Sequence, residues 1–274
     1  HLNRFDWQPP GKGLFPALER RLNTMAGRFV CLAREGRRLR LYLDASGSLS
    51  MLFSAEHGMA ASTVALFPSG GEADDNLELI TALDVGRRNR FFPFGLTPRH
   101  SIQRILPNHV LNLDTWKVHR WWPTAAITQA AAPEEALHEI AGLLRGTVLS
   151  LIEAGHRPYL SLTAGYDSRT LLALLREERD AIDWFTWDLP DANAARDVQI
   201  AHQLARDLGL NHRVIPFTAA SAQEQALWQH RCGLAVGELR GMSLASTVAA
   251  MGNWRYYLPG LGSEVGRAFY WRNE

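Results

Sequence analysis

From Pro158 onward the chain alternates short apolar stretches with longer segments of helical periodicity, and this rhythm constrains the fold more than any other feature. Strands are predicted at Pro158-Tyr159-Leu160-Ser161-Leu162, at 182–187, at 212–217 and again at Tyr256-Tyr257-Leu258-Pro259. Helices are predicted between them over 169–178 and 194–208, the second stopped by Gly209. Strands joined through helices imply βαβ crossovers and a mostly parallel sheet covered on both sides. Sheets of this kind take ligands at the carboxyl ends of their strands. Two turns fall at such ends, 163–168 and 260–264.

The first turn, Thr163-Ala164-Gly165-Tyr166-Asp167-Ser168, joins a strand to the start of a helix. That junction aims backbone N–H groups and a helix dipole at one point, which suits an anion and phosphate above all. Gly165 tolerates backbone angles that larger residues resist, Ala164 keeps the turn narrow, and Thr163 and Ser168 add hydroxyl donors. Asp167 would repel a phosphate unless a cation lay between them. Phosphate donors with one carboxylate therefore indicate Mg²⁺-nucleotide. The alternative is an ordinary turn in which Asp167 and Ser168 cap the helix. No Gly-Lys-Ser/Thr follows, so this is not a Walker loop.

The front half reads differently. Phe29-Val30-Cys31-Leu32, Leu39-Arg40-Leu41-Tyr42-Leu43-Asp44 and Ser50-Met51-Leu52-Phe53 are separated by turn-forming residues, the pattern of a meander of antiparallel strands. Short helices are expected over 60–67 and 77–85, and β patterning returns over 91–122, with a turn at Leu106-Pro107-Asn108-His109. An Ala/Thr-rich stretch, 124–133, reads as a linker between a domain 1–123 and a domain 134–274. Beyond it Pro133-Glu134-Glu135 starts a helix whose apolar face is Leu137, Ile140, Leu143, Leu144, Val148 and Ile152.

Composition removes several classes of function. A net charge of +1 provides no field for nucleic acid, and no run reaches the ~20 apolar residues of a membrane span. Two cysteines, Cys31 and Cys232, make neither a disulfide framework nor a zinc cluster, and the ten histidines show no HxxxH or HExxH spacing. A reducing cytoplasm is the expected compartment. The chain begins with His1 rather than Met and stops at Glu274 soon after a Gly-rich turn, which suggests a processed, engineered or partial sequence.

The 163–168 segment resembles the Ser-Gly-Gly-x-Asp-Ser pyrophosphate loop of the N-type ATP pyrophosphatases, with Thr for the first Ser and Ala for the first Gly. Gly260-Leu261-Gly262-Ser263-Glu264, about one hundred residues further on, resembles the Gly-x-Gly-Ser-Asp segment of asparagine synthetases and β-lactam synthetases. Between them, the helix led by Asp197-Val198-Gln199 and the run Leu208-Gly209-Leu210-Asn211-His212 are similar to the same family. Gly27-Arg28-Phe29-Val30, Asp44-Ala45-Ser46-Gly47 and Leu106-Pro107-Asn108-His109-Val110-Leu111 resemble pieces of its N-terminal glutaminase-like domain. The resemblance implies an α/β protein, with a C-terminal parallel sheet of the adenine-nucleotide α-hydrolase (PP-loop) type behind a smaller β-rich α+β domain. It implies ATP on Ser161, Leu162, Thr163, Ala164, Gly165, Asp167, Ser168, Gly260 and Gly262, and Mg²⁺ on Asp167 and Glu264.

The sequence also departs from that family. Its glutaminases use an N-terminal Cys nucleophile, whereas residue 1 here is His and the first cysteine is Cys31, in a core strand. Glu264 stands where the family carries Asp, one methylene longer. The function implied is an AMP-forming, amide-making ligase that activates a small-molecule or peptide carboxylate, without nucleic acid or membrane partners and with a homodimer admitted. Arg169, at the helix start, either assists the phosphates or is an exposed helical arginine. A pyrophosphate-loop enzyme of another branch and a non-catalytic nucleotide-binding or scaffold protein are the other readings.

Overall fold

A computed structural model of the chain describes residues 13–69, 71, 74–85, 92–126, 132–233, 239–250 and 256–258, with only the backbone of 239–242. The protein is mixed α/β, with antiparallel sheets in one part and a parallel sheet in another. It divides into two compact units: residues 1–128 with 222–239, and residues 129–221 with 240–274.

In the first unit, β1 (Val30–Glu35), β2 (Arg38–Leu43), β6 (His109–Asn112) and β7 (Lys117–Arg120) form an antiparallel sheet in the order β1-β2-β6-β7. A second antiparallel sheet orders β4 (Met59–Ala61), β3 (Leu52–Ser54) and β5 (Gln103–Arg104). Side chains alternate along β2 as a pleated strand requires. Tyr42 joins Val110 and Trp121 in a core with Phe15 and Leu22 of α1 (Leu14–Leu22). Leu41 and Leu43 point the other way and pack with Phe53, Ile105 and Leu111. The expected turn before β6 is present, with Asn108 at φ 62, a left-handed value that Asn tolerates. The helix expected over 60–67 is not formed. Ala60 and Ala61 instead pair with β3, and only Val64–Leu66 makes a 3-10 turn, capped by the Thr63 hydroxyl. Cross-strand pairing outweighs the weak helical preference of so short a run. Further on, α2 (Leu77–Leu83) starts at an Asn76 cap and ends at Asp84. The last element of this unit is α6 (Ala222–Cys232).

The second unit contains α3 (Pro133–Glu153), β8 (Tyr159–Ser161), α4 (Tyr166–Leu174), β9 (Asp183–Asp188), α5 (Ala192–Leu208), β10 (His212–Pro216), α7 (Leu239–Ala250) from residue 240 on, and β11 (Tyr257–Leu258). Its four strands are parallel in the order β10-β9-β8-β11. Leu160 stands opposite Trp184 on one side and Leu258 on the other. Leu160, Leu162, Leu175, Ile182, Trp184 and Ala201 are completely buried in one cluster with Val148 and Leu172. The apolar runs of β8 and β9 thus read as strands covered on both faces. Asp191 caps α5 by accepting from the Ala194 amide, and Gly209 at φ 66 closes it.

Helix α3 departs from its expected packing. Val148 and Ile152 join the core, but Leu137, Ile140, Leu143 and Leu144 are exposed. Among the described residues the helix packs along its C-terminal portion, where Arg145 also meets Glu177 and Glu178 near α4. No helix among the described residues is long and apolar enough to cross a membrane. Leu160→Ala should therefore cost about 2–5 kcal/mol in urea unfolding, whereas Leu137→Ala should stay within about 0.5 kcal/mol. Equal losses would mean that the α3 face is covered in solution.

Candidate functional site

The strand order reverses beside β8: the chain runs outward through β9 and β10, then returns to place β11 on the other flank. Ligands of open parallel sheets gather at such a switch point, beyond the carboxyl ends of the strands. The 163–168 loop leaves the carboxyl end of β8 and runs directly into α4, whose first residue is Tyr166. Gly165 is the N-cap, extended at φ −68 and ψ 155, with no side-chain capping bond. A Cβ there would stand 3.1 Å from the Thr163 hydroxyl. That contact is tight for any larger residue.

Each of the first three loop amides has a side-chain acceptor. Thr163 N–H donates to Ser168 Oγ at 3.0 Å, Ala164 N–H to Asp197 Oδ1 at 2.8 Å, and Gly165 N–H to Thr163 Oγ1 at 3.1 Å. The Thr163 and Ser168 hydroxyls lie 2.9 Å apart, and Ser168 Oγ also reaches the Thr163 and Gly165 carbonyls. Ser168 is buried, so its hydroxyl works inside the loop. Asp167 is half-buried in the first turn of α4. Arg169 is exposed; its Nε donates to the Gly165 carbonyl at 3.2 Å and its guanidinium sits 5.0 Å from the exposed Tyr166 ring. Arg169 is thus a local brace of the helix start in this conformation.

Beneath the loop, the buried Thr186 hydroxyl donates to the Leu162 carbonyl at 2.6 Å. With its only proton used there, Thr186 accepts from His212 Nε2 at 2.8 Å, which fixes the proton on that nitrogen. Burial, and secondarily the nearby His202, push the His212 imidazole down to about 4. The two rings meet edge to face at 5.6 Å. A cleft of about 350 Å³ opens alongside, lined among others by Thr163, Thr186, Trp187, Leu189, Asn193 and Asp197. Its size lies in the range of small-ligand pockets, and one wall is the loop itself.

The structure therefore brings Ser161, Leu162, Thr163, Ala164, Gly165, Asp167 and Ser168 to one strand end, while Gly260, Gly262 and Glu264 lie outside the described residues. No family model matches this chain. A search of curated proteins finds no match either. Asp197 and Thr186 were not among the expected site residues. Asp197 is separated from Ala164 by 33 positions, and only the packing of α5 beside β9 brings them together. The signal was the Asp at position 197 in a helix already set apart by its pattern. Thr186 was hidden in a strand where every neighbour is apolar or aromatic except the terminal carboxylates. In the first unit, Cys31 is half-buried in β1 and burial pushes its thiol up, away from the thiolate a nucleophile needs. Among the described residues no three His, Cys, Asp or Glu side chains gather as a metal cluster.

The His212 environment has a signed consequence. Its folded value lies below the ~6.5 of an unfolded histidine, so the unfolded chain takes the proton first. Stability is full above about pH 6.5, falls as pH drops toward 4, and then levels. His212→Gln should flatten that slope in urea unfolding at pH 7 and pH 5. An imidazole titrating near 6.5 in the folded protein would contradict it. Thr186→Val should strip the Leu162 carbonyl and His212 Nε2–H of their shared partner and cost about 1–3 kcal/mol, read from the same unfolding curves. An unchanged midpoint would show that neither group depends on the hydroxyl.

Proposed function

We propose that the second unit is an asparagine-synthetase-like, PP-loop ATP pyrophosphatase domain, and that the protein is an ATP-dependent, AMP-forming carbon–nitrogen ligase. The observation that carries this reading is the 163–168 loop at the carboxyl end of β8, beside the reversal in strand order. Backbone donors at a strand-to-helix junction favour phosphate, and the adjoining cleft has room for the nucleoside.

The residues fit Mg²⁺-nucleotide. Magnesium is commonly held by one or two carboxylates together with substrate phosphates, so it needs no all-protein cage. Asp167 is the carboxylate nearest the phosphate-directed donors in sequence, and Glu264 is the second one proposed. The Thr163 hydroxyl can turn from loop acceptor into phosphate donor, because a hydroxyl both gives and accepts, while the buried Ser168 hydroxyl shapes the loop from within.

In the proposed reaction, a substrate carboxylate oxygen attacks the α-phosphorus and the α–β phosphoanhydride bond breaks, releasing pyrophosphate. An amine then attacks the acyl carbon of the acyl-adenylate, losing a proton as AMP departs, and an amide forms. The chain contributes position and charge complementarity rather than a covalent group. The first unit would be a glutaminase-like scaffold without the family's N-terminal cysteine.

Calorimetric titration with ATP, with and without Mg²⁺, tests the loop. Mg²⁺ should strengthen binding, and Asp167→Asn should remove most of that gain, on the order of 2–4 kcal/mol. Glu264→Gln should act in the same direction, less than additively with Asp167→Asn if both hold one ion. Equal affinity of wild type and Asp167→Asn in saturating Mg²⁺ would mean that Asp167 holds no magnesium. Binding with no pyrophosphate release across a panel of carboxylates would leave a nucleotide-binding protein without the ligase step.

A further inference from the structure

We infer that Asp197 is a built-in competitor for the nucleotide phosphates: its carboxylate holds the Ala164 amide and must leave before an anion can take it. The inference rests on the reading of the 163–168 loop as a phosphate site, and concerns a residue outside the loop.

Ala164 N–H is the middle one of the three loop amides, and its acceptor differs in kind from its neighbours'. Thr163 and Gly165 donate to neutral hydroxyls of the loop itself, which carry no charge to repel an anion. Ala164 donates to a carboxylate at 2.8 Å, on a different element. A carboxylate has no proton to turn outward and bonds an amide more strongly than a hydroxyl does. It occupies the position that a phosphate oxygen would seek. A single N–H does not serve two anions well, and in a half-buried cleft the two negative charges repel through less water than in bulk solvent.

Asp197 is also placed to withdraw. It sits in the second turn of α5, which is anchored by the Asp191 cap at one end and Gly209 at the other. The backbone can therefore stay put while the side chain changes rotamer. Asp197 and Thr163 line the same cleft, so the released carboxylate has open space beside it. In the conformation described, the loop carries its own anion. Nucleotide binding then requires an exchange of one carboxylate for one phosphate oxygen at Ala164. An empty loop is kept ordered and a weakly binding anion is rejected.

A role in holding the loop in shape would give the opposite sign, which makes the two roles separable. Affinities of wild type, Asp197→Asn and Asp197→Ala are measured by calorimetry for MgATP and for inorganic pyrophosphate. Thermal unfolding of each variant checks the fold. Asp197→Ala should bind both ligands about tenfold more tightly than wild type, because it removes the charged acceptor that competes at one amide. Asp197→Asn keeps an acceptor and loses the charge, and should fall between them. In spectra without ligand, the Ala164 amide should shift in both variants. Weaker binding by Asp197→Ala with wild-type affinity in Asp197→Asn would overturn the competitor role in favour of simple positioning. Unchanged affinity in both variants would overturn it as well. Those outcomes leave the phosphate-site reading standing, because wild type still binds; failure of every form to bind either ligand would sink both.

Discussion

The Thr186 hydroxyl is the fixed point from which the site is built. It lies in β9, donates to the carbonyl of Leu162 just past β8, and accepts from His212 at the start of β10. One buried group thus links the end of β8, the interior of β9 and the start of β10. Leu162 immediately precedes the 163–168 loop, so its carbonyl direction sets where the loop begins. An unmade bond at this depth would cost the desolvation of the carbonyl and of the imidazole N–H together. The apolar core beneath, from Leu160 to Trp184 and Ala201, supplies the low-dielectric surroundings that make the link strong.

Above that point side chains satisfy the loop amides, two from the loop itself and one from α5. Each amide from Thr163 to Gly165 points at a side-chain oxygen, and only one of those oxygens carries a full charge. The arrangement explains how the loop stays ordered: backbone donors left unpaired would be unfavourable, and side-chain oxygens pair them. It also separates Asp167 from Asp197. Asp167 belongs to the helix start, where negative charge favours the dipole, whereas Asp197 reaches in from α5 and takes an amide. Two carboxylates near one loop call for different explanations, and the hydrogen bonds distinguish them.

Much of this was legible in the residues because local signals and packing agree. Gly209 and Asp191 mark the ends of α5, the apolar runs mark β8 and β9, and the small-residue turn marks the strand-to-helix junction. Where the two disagree, local pattern misleads. The apolar stripe of α3 predicts burial along its whole length, yet Leu137 remains 65% exposed, and among the described residues Val148 and Ile152 are the stripe positions that join the core. Residues 60–67 have a composition a helix tolerates, but β3 pairs with Ala60 and Ala61 first. The Asp197 contact and the Thr186 bridge are invisible in sequence for another reason: they join residues tens of positions apart, and nothing short of strand order brings them together.

Amide chemical shifts of residues 163–168 during titration with MgATP test the central claim, that this loop is a phosphate site. The expected result is saturable shifts at Thr163, Ala164, Gly165 and the first turn of α4, with smaller changes along Trp187 and Asn193 in the cleft. Saturable binding that leaves those amides unmoved, with shifts confined to the first unit, would contradict it.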